Sequence, residues 1–95
     1  MLIEKNVTFG DLEITIYDFE FEGDTLASHA HDNETTHITI CARGSVKVIT
    51  PEWEKTLSEG NIIQFFPYQK HAITAITDNC RIVNVPIHYS NNKSD

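Results

Sequence analysis

His29-Ala30-His31-Asp32-Asn33-Glu34-Thr35-Thr36-His37-Ile38-Thr39-Ile40-Cys41 is the stretch that decides how this chain is read. Alternate side chains of an extended strand share a face. His29 and His31 therefore project the same way, about 7 Å apart along the strand, and one metal ion can be gripped by both. After the polar loop 32–36 the alternation resumes, with His37, Thr39 and Cys41 on one side and Ile38 and Ile40 on the other. His37 is thereby expected to enter the same interior from a neighbouring strand, and His71 to reach it from the far half of the chain. Imidazole is the commonest metal-binding side chain. A single histidine in a short acidic chain is more often a surface or hydrogen-bonded residue, so it is the joint spacing of the four that points to a ligand set. His88, followed by Tyr89 and a polar tail, fits no such spacing and reads as an ordinary structural histidine.

Outward from this stretch, Val, Ile, Thr and Phe recur with period two, and no segment sustains the three-four spacing of an amphipathic helix. The expectation is an all-β chain of seven to nine short strands, arranged as a sandwich or small barrel. Leu12, Ile14 and Ile16 alternate on one parity and Tyr17, Phe19 and Phe21 on the other, which predicts a β-bulge or bend near Ile16 and Tyr17. Turn signals stand at Glu22-Gly23-Asp24, Arg43-Gly44, Glu59-Gly60-Asn61 and Thr77-Asp78-Asn79. Trp53, in the acidic connection Pro51–Lys55, reads as a half-exposed hairpin aromatic.

Ninety-five residues suit one domain with one core, expected over 1–90, with 91–95 a disordered polar tail. A core this small gains from an oligomer interface or a bound metal. With a formal net charge of −7, there is no basic stripe to release phosphate counterions, so nucleic acid and anionic membranes are not expected as partners. No apolar run approaches the ~18 residues that span a bilayer, and the expected location is the cytoplasm. Cys41 and Cys80 stand in no Cys-x-x-Cys unit and read as reduced, buried thiols rather than a disulfide.

From Gly23 to about Ala75 the chain resembles the cupin superfamily. The first cupin motif runs Gly, five residues, His-x-His, a short gap, Glu, six residues, Gly; here it reads Gly23, five residues, His29-Ala30-His31, a gap of five, His37, six residues, Gly44. The second motif sets a histidine eleven residues after a glycine, beyond a Pro-x-Gly-type turn, as Gly60 and His71 are set around Pro67 and Tyr68. The resemblance implies a cupin-type jelly-roll barrel, a metal inside its mouth held by His29, His31, His37 and His71, and a homodimer. His37 stands where the family has glutamate, and Glu34, out of register with that strand, is the rival fourth ligand.

Four neutral imidazoles leave a divalent transition ion its full charge, which strengthens it as a Lewis acid. Iron, manganese, nickel, copper and zinc all suit such ligands, and the sequence does not distinguish them. Two classes of function follow. One is a mononuclear metal-dependent enzyme, dioxygenase-like, acting on a small oxygenated molecule such as a diketone, enediol or phenol. The other is a non-catalytic binding module whose metal staples the domain or holds a small-molecule ligand. Thr39, Cys41, Ile73 and Ala75 are expected on the inner wall, with Gln64 and Tyr68 near the mouth, a set without an obvious general base. Arg43 and Arg81 are minor candidates for pairing a substrate carboxylate and read first as solvated charges.

Overall fold

A computed structural model describes residues 1–29, 36–66 and 69–87. His31, Glu34, Pro67, Tyr68, His88 and the tail 91–95 lie outside the described residues, as does the side chain of His29. Nine strands form within them: β1 (Leu2–Phe9), β2 (Leu12–Phe19), β3 (Thr25–His29), β4 (Thr36–Arg43), β5 (Ser45–Ile49), β6 (Glu54–Ser58), β7 (Ile62–Phe65), β8 (His71–Ala75) and β9 (Cys80–Ile87). No helix among the described residues is long and apolar enough to cross a membrane.

All pairings are antiparallel, and they make two sheets. Five strands form one in the order β1-β2-β9-β4-β7, and four form the other in the order β3-β8-β5-β6. Non-neighbours in sequence lie side by side, as a jelly roll requires. The core sits between the sheets, where Phe19, Phe65 and Ile82 of the first meet Val46, Val48 and Ile73 of the second. Strand alternation places them there: in β8 His71, Ile73 and Ala75 are buried while Ala72 and Thr74 are only partly covered.

The chain crosses from one sheet to the other at Gly44, between β4 and β5. Its φ of 75° belongs to the left-handed region, and a Cβ added there would lie 2.7 Å from Cys80 Sγ and 2.8 Å from Thr77 Oγ1. Glycine is therefore required on two counts, backbone conformation and space. The same corner holds both cysteines, buried and unbridged as expected. Cys80 Sγ donates to the carbonyls of Ser45 and Thr77, each at 3.1 Å, and Cys41 Sγ donates to that of Gly44 at 3.3 Å. Burial pushes the Cys41 thiol pKa up, which makes it an inert core group rather than a nucleophile.

The bulge expected near Ile16 and Tyr17 is absent. β1 and β2 pair without a break from Leu2↔Phe19 to Phe9↔Leu12. The register shifts lie elsewhere, between Leu26 and His29 in β3 and between Cys41 and Arg43 in β4. Apolar residues change parity along β2 because both faces of the strand carry them: Tyr17 and Phe19 turn to the core, while Leu12, Ile14 and Ile16 lie on the opposite, outer face. Phe21 is beyond the strand and exposed. Trp53 is half-buried, as expected, and packs on the edge of the core with its backbone held by Thr50.

Candidate metal centre

His71 opens β8 on the inner face and is 1% exposed. Its Nδ1 lies 2.8 Å from the carbonyl oxygen of Gln69. A carbonyl only accepts, so Nδ1 carries the proton and the lone pair is left on Nε2. That tautomer is the one a metal-binding histidine adopts when a backbone carbonyl orients it. The carbonyl is itself held in place, because Phe66 N–H donates to Gln69 Oε1 at 3.1 Å and Gln69 N–H donates to the Phe66 carbonyl at 3.2 Å. The ring is fixed from its flat side as well: Phe65 stacks on it with centroids 3.8 Å apart and planes 11° from parallel.

Phe65 also ties this histidine to the other sheet. It is the Cα partner of His37 across the β4–β7 pair, and His37 is flanked on its other side by Pro86 of β9. His37 shares the inward parity of Thr39 and Cys41, both fully buried, and its own Nδ1 is buried. On the second sheet His29 is registered opposite His71. The register shift before it inserts one extra residue in β3 between Leu26 and His29, and this brings His29 rather than Ser28 level with His71. The backbone thus sets His29 opposite His71 on one sheet, and Phe65, which stacks on His71, is the cross-strand neighbour of His37 on the other. Among the described residues no group of three His, Cys, Asp or Glu side chains closes on a single point; the His29 side chain and His31 lie outside that set.

The wall beside the histidines is partly polar. Thr39 Oγ1 donates to Asn84 Oδ1 at 2.6 Å in a fully buried pair, and Thr15 of β2 is the cross-strand neighbour of Asn84. Ile73 and Ala75 line the opposing sheet, as the sequence suggested. Gln64 does not face the mouth: it is exposed, on the parity opposite to inward-facing Ile63 and Phe65. Arg43 and Arg81 also leave the interior, turning to the outer face to meet Asp18. Arg81 grips both carboxylate oxygens at 2.7 and 2.9 Å, Lys5 lies 3.3 Å away and Arg43 3.9 Å. The Arg81 hydrogen bonds, reinforced by Lys5, bring the Asp18 pKa down to about 2.

Sequence reasoning passed over Phe65, Gln69 and Asn84. Gln69 stands two residues before His71, a spacing that lets a carbonyl reach back to the ring, and is the one of the three with a local signal. Phe65 is hidden in the nearly unbroken apolar run 62–66, where parity gives no hint of which aromatic points inward.

No protein-family model and no curated protein matches the sequence. Solved structures do match the fold. The structure of KdgF from Halomonas sp. superposes with a TM-score of 0.79 at 19% identity, over 90% of this chain and 76% of that one. A cupin superfamily protein from Desulfitobacterium hafniense gives 0.79 at 10% identity, over 92% and 77%. A conserved protein with a double-stranded β-helix domain from Klebsiella pneumoniae gives 0.79 at 18% identity, over 96% and 80%. With two antiparallel sheets wound as a jelly roll and neighbours of this kind, the chain has the cupin fold, the double-stranded β-helix.

Proposed function

We propose that this protein is a small metal-binding cupin that holds one divalent transition ion through His29, His31, His37 and His71. The observation that carries the reading is the state of His71: buried, stacked on Phe65, and donating from Nδ1 to a fixed carbonyl so that Nε2 bears the lone pair. A buried imidazole needs no such double restraint merely to fill space. The His29↔His71 register and the placement of His37 beside Phe65 support the rest of the set.

When bound, the ion supplies Lewis-acid polarisation of an oxygen on a small chelating molecule. The chain's own residues do the positioning. Phe65 and the Gln69 carbonyl hold the His71 ring, and the Thr39–Asn84 pair fixes the amide on the wall beside it. The function we favour is a mononuclear, dioxygenase-like enzyme for a small oxygenated substrate. A second reading, a non-catalytic module, is favoured by the wall itself. The two cross-strand neighbours of His37, Phe65 and Pro86, include no general base.

Metal analysis of untagged protein, coupled to oxygen uptake with a panel of diketones, enediols and phenols, separates the two. One ion per chain with metal-dependent uptake supports the enzyme. One ion per chain with binding and no turnover supports the module, and a chain that retains no ion from any of the five metals contradicts both.

A further inference from the structure

Asn84 lies in β9, a strand paired on both sides, and shares the inward parity of Ile82. Asparagine is a poor strand former, and a carboxamide taken out of water costs free energy unless its oxygen and its two N–H groups find partners. One partner is present, Thr39 Oγ1 at 2.6 Å. At that length the contact is an O–H···O bond, shorter than the roughly 2.7–3.2 Å of an N–H···O bond. The oxygen of the amide is therefore the atom turned to Thr39, and Nδ2 is turned away from it. Among the described residues nothing accepts from Nδ2. Asn84 is 5% exposed, yet Nδ2 is not sealed into the core, so its two N–H groups border space that a small molecule or water can enter.

Register places this amide relative to the histidines. Thr39 is the Cα partner of Asn84, and His37 that of Pro86, so Asn84 stands on the same inner face as His37 and one row away, about 7 Å along the strand. The same two rows continue on β7 as Ile63 and Phe65, and Phe65 is the ring that stacks on His71.

We propose that Asn84 reads the small molecule held beside His37 and His71, by donating from Nδ2 to a neutral carbonyl oxygen on it. The inference rests on the reading of this interior as a ligand site and adds the class of ligand. With Oδ1 committed to Thr39, the amide offers donors and no free acceptor, which selects a ligand oxygen over a ligand N–H. Charge narrows the class further. The inward positions of β4 and β9 carry no lysine or arginine, and Arg43 and Arg81 of these strands turn outward to Asp18. In a chain of net charge −7, a ligand carboxylate meets no cation from this wall, whereas a ketone or ester oxygen needs only the N–H. A site built to donate rejects a molecule without the acceptor, because the amide is then left unpaired.

Nitrogen–proton correlation spectra of the isotope-labelled full chain test this, with cyclopentanone and pyrrole as probes. The two rings are of one size, but the first only accepts a hydrogen bond and the second only donates one. The side-chain N–H pair of Asn84 is identified by its absence from Asn84→Leu. Cyclopentanone should move that pair saturably and pyrrole should not. Asn84→Leu should weaken cyclopentanone binding about three- to tenfold and leave pyrrole binding as it was. The double variant Thr39→Val, Asn84→Leu, which strands no hydroxyl, supplies the same readout if the single variant does not fold. An Asn84 pair unmoved by cyclopentanone into the tens of millimolar overturns the proposal, as does a preference for cyclopentanone that survives the loss of Asn84. Spectra of metal-free and zinc-loaded protein keep the two readings apart. A chain that retains no zinc but shows the Asn84 shift contradicts the metal reading and supports this one; zinc retained with the Asn84 pair unmoved overturns this one alone.

Discussion

The five-stranded sheet is apolar on both of its faces. Its inner face carries Phe19, Phe65 and Ile82 with the polar Thr39, Asn84 and His37 among them, and its outer face, which should be wet, carries isoleucine and valine in continuous rows. The opposing four-stranded sheet obeys the usual rule, with Val46, Val48 and Ile73 inside and the cross-strand row Thr74, Lys47 and Thr56 turned away from the core. In the five-stranded sheet polar groups stand inside on β4 and β9, the strands that carry His37, Thr39 and Asn84, and aliphatic groups stand outside. Buried polar groups and an open aliphatic face are each costly to an isolated chain.

The largest effect is expected from His71→Ala, which removes the fully buried ring, its bond to Gln69 and its stack on Phe65. A cavity and a lost hydrogen bond together should cost about 2–4 kcal/mol, measured by urea unfolding of the metal-free protein, with loss of metal binding besides. If stability is unchanged, the inner end is not packed around this ring. Gly44→Ala should come next, at about 2 kcal/mol or more, since the new Cβ meets Cys80 and Thr77 in a left-handed backbone. It breaks the crossing between the sheets and so should weaken both faces alike, detectable as a lower thermal midpoint with metal-binding stoichiometry retained.

Thr39→Val sharpens the comparison on the inner side. It leaves Asn84 Oδ1 without its donor and should cost roughly 1–3 kcal/mol. The double variant Thr39→Val, Asn84→Leu should recover part of that, if the pair serves stability alone.

On the outer side, Asp18→Asn should cost about 1–2 kcal/mol at neutral pH. The sign follows from a folded pKa of about 2 against an ordinary 3.8: the carboxylate's contribution is fully present above pH 4 and is lost as pH falls through about 2. Urea unfolding of wild type and variant should therefore converge over that interval. A difference that persists below pH 2 would mean that the carboxylate's charge is not what stabilises the sheet end.

The smallest effect is expected from Phe65→Leu, which keeps the core filled but removes the stacked plane. Metal affinity should fall about tenfold, while the fold persists. His37→Ala should weaken metal retention more than Glu34→Ala does; the reverse order makes Glu34 the fourth ligand.

Much of this architecture is legible in the sequence. The alternations through His37–Cys41 and His71–Ala75 place the inner residues of β4 and β8, and the Gly60-to-His71 interval leads to the histidine that the structure buries and orients. What the sequence obscures is everything that depends on the outer apolar face. Period-two reasoning assumes one dry side per strand, so the change of parity at Ile16 and Tyr17 reads as a bulge when it is a strand dry on both sides. The same assumption puts Gln64 at the mouth and hides Phe65 among its apolar neighbours. Arg43 and Arg81 look like lone strand-end charges because Asp18, their partner, is 25 residues or more away in the chain and adjacent only through pairing of β2, β9 and β4.

The central claim, a metal ion held by an all-histidine set, is tested most directly by X-ray absorption at the metal edge of untagged, metal-loaded protein, wild type beside His71→Ala. One ion per chain with several imidazole ligands and no sulfur is expected in the wild type, and loss of bound metal, or of one imidazole from its shell, in the variant. A shell of sulfur or carboxylate oxygen without imidazole, or a spectrum unchanged by His71→Ala, would contradict it.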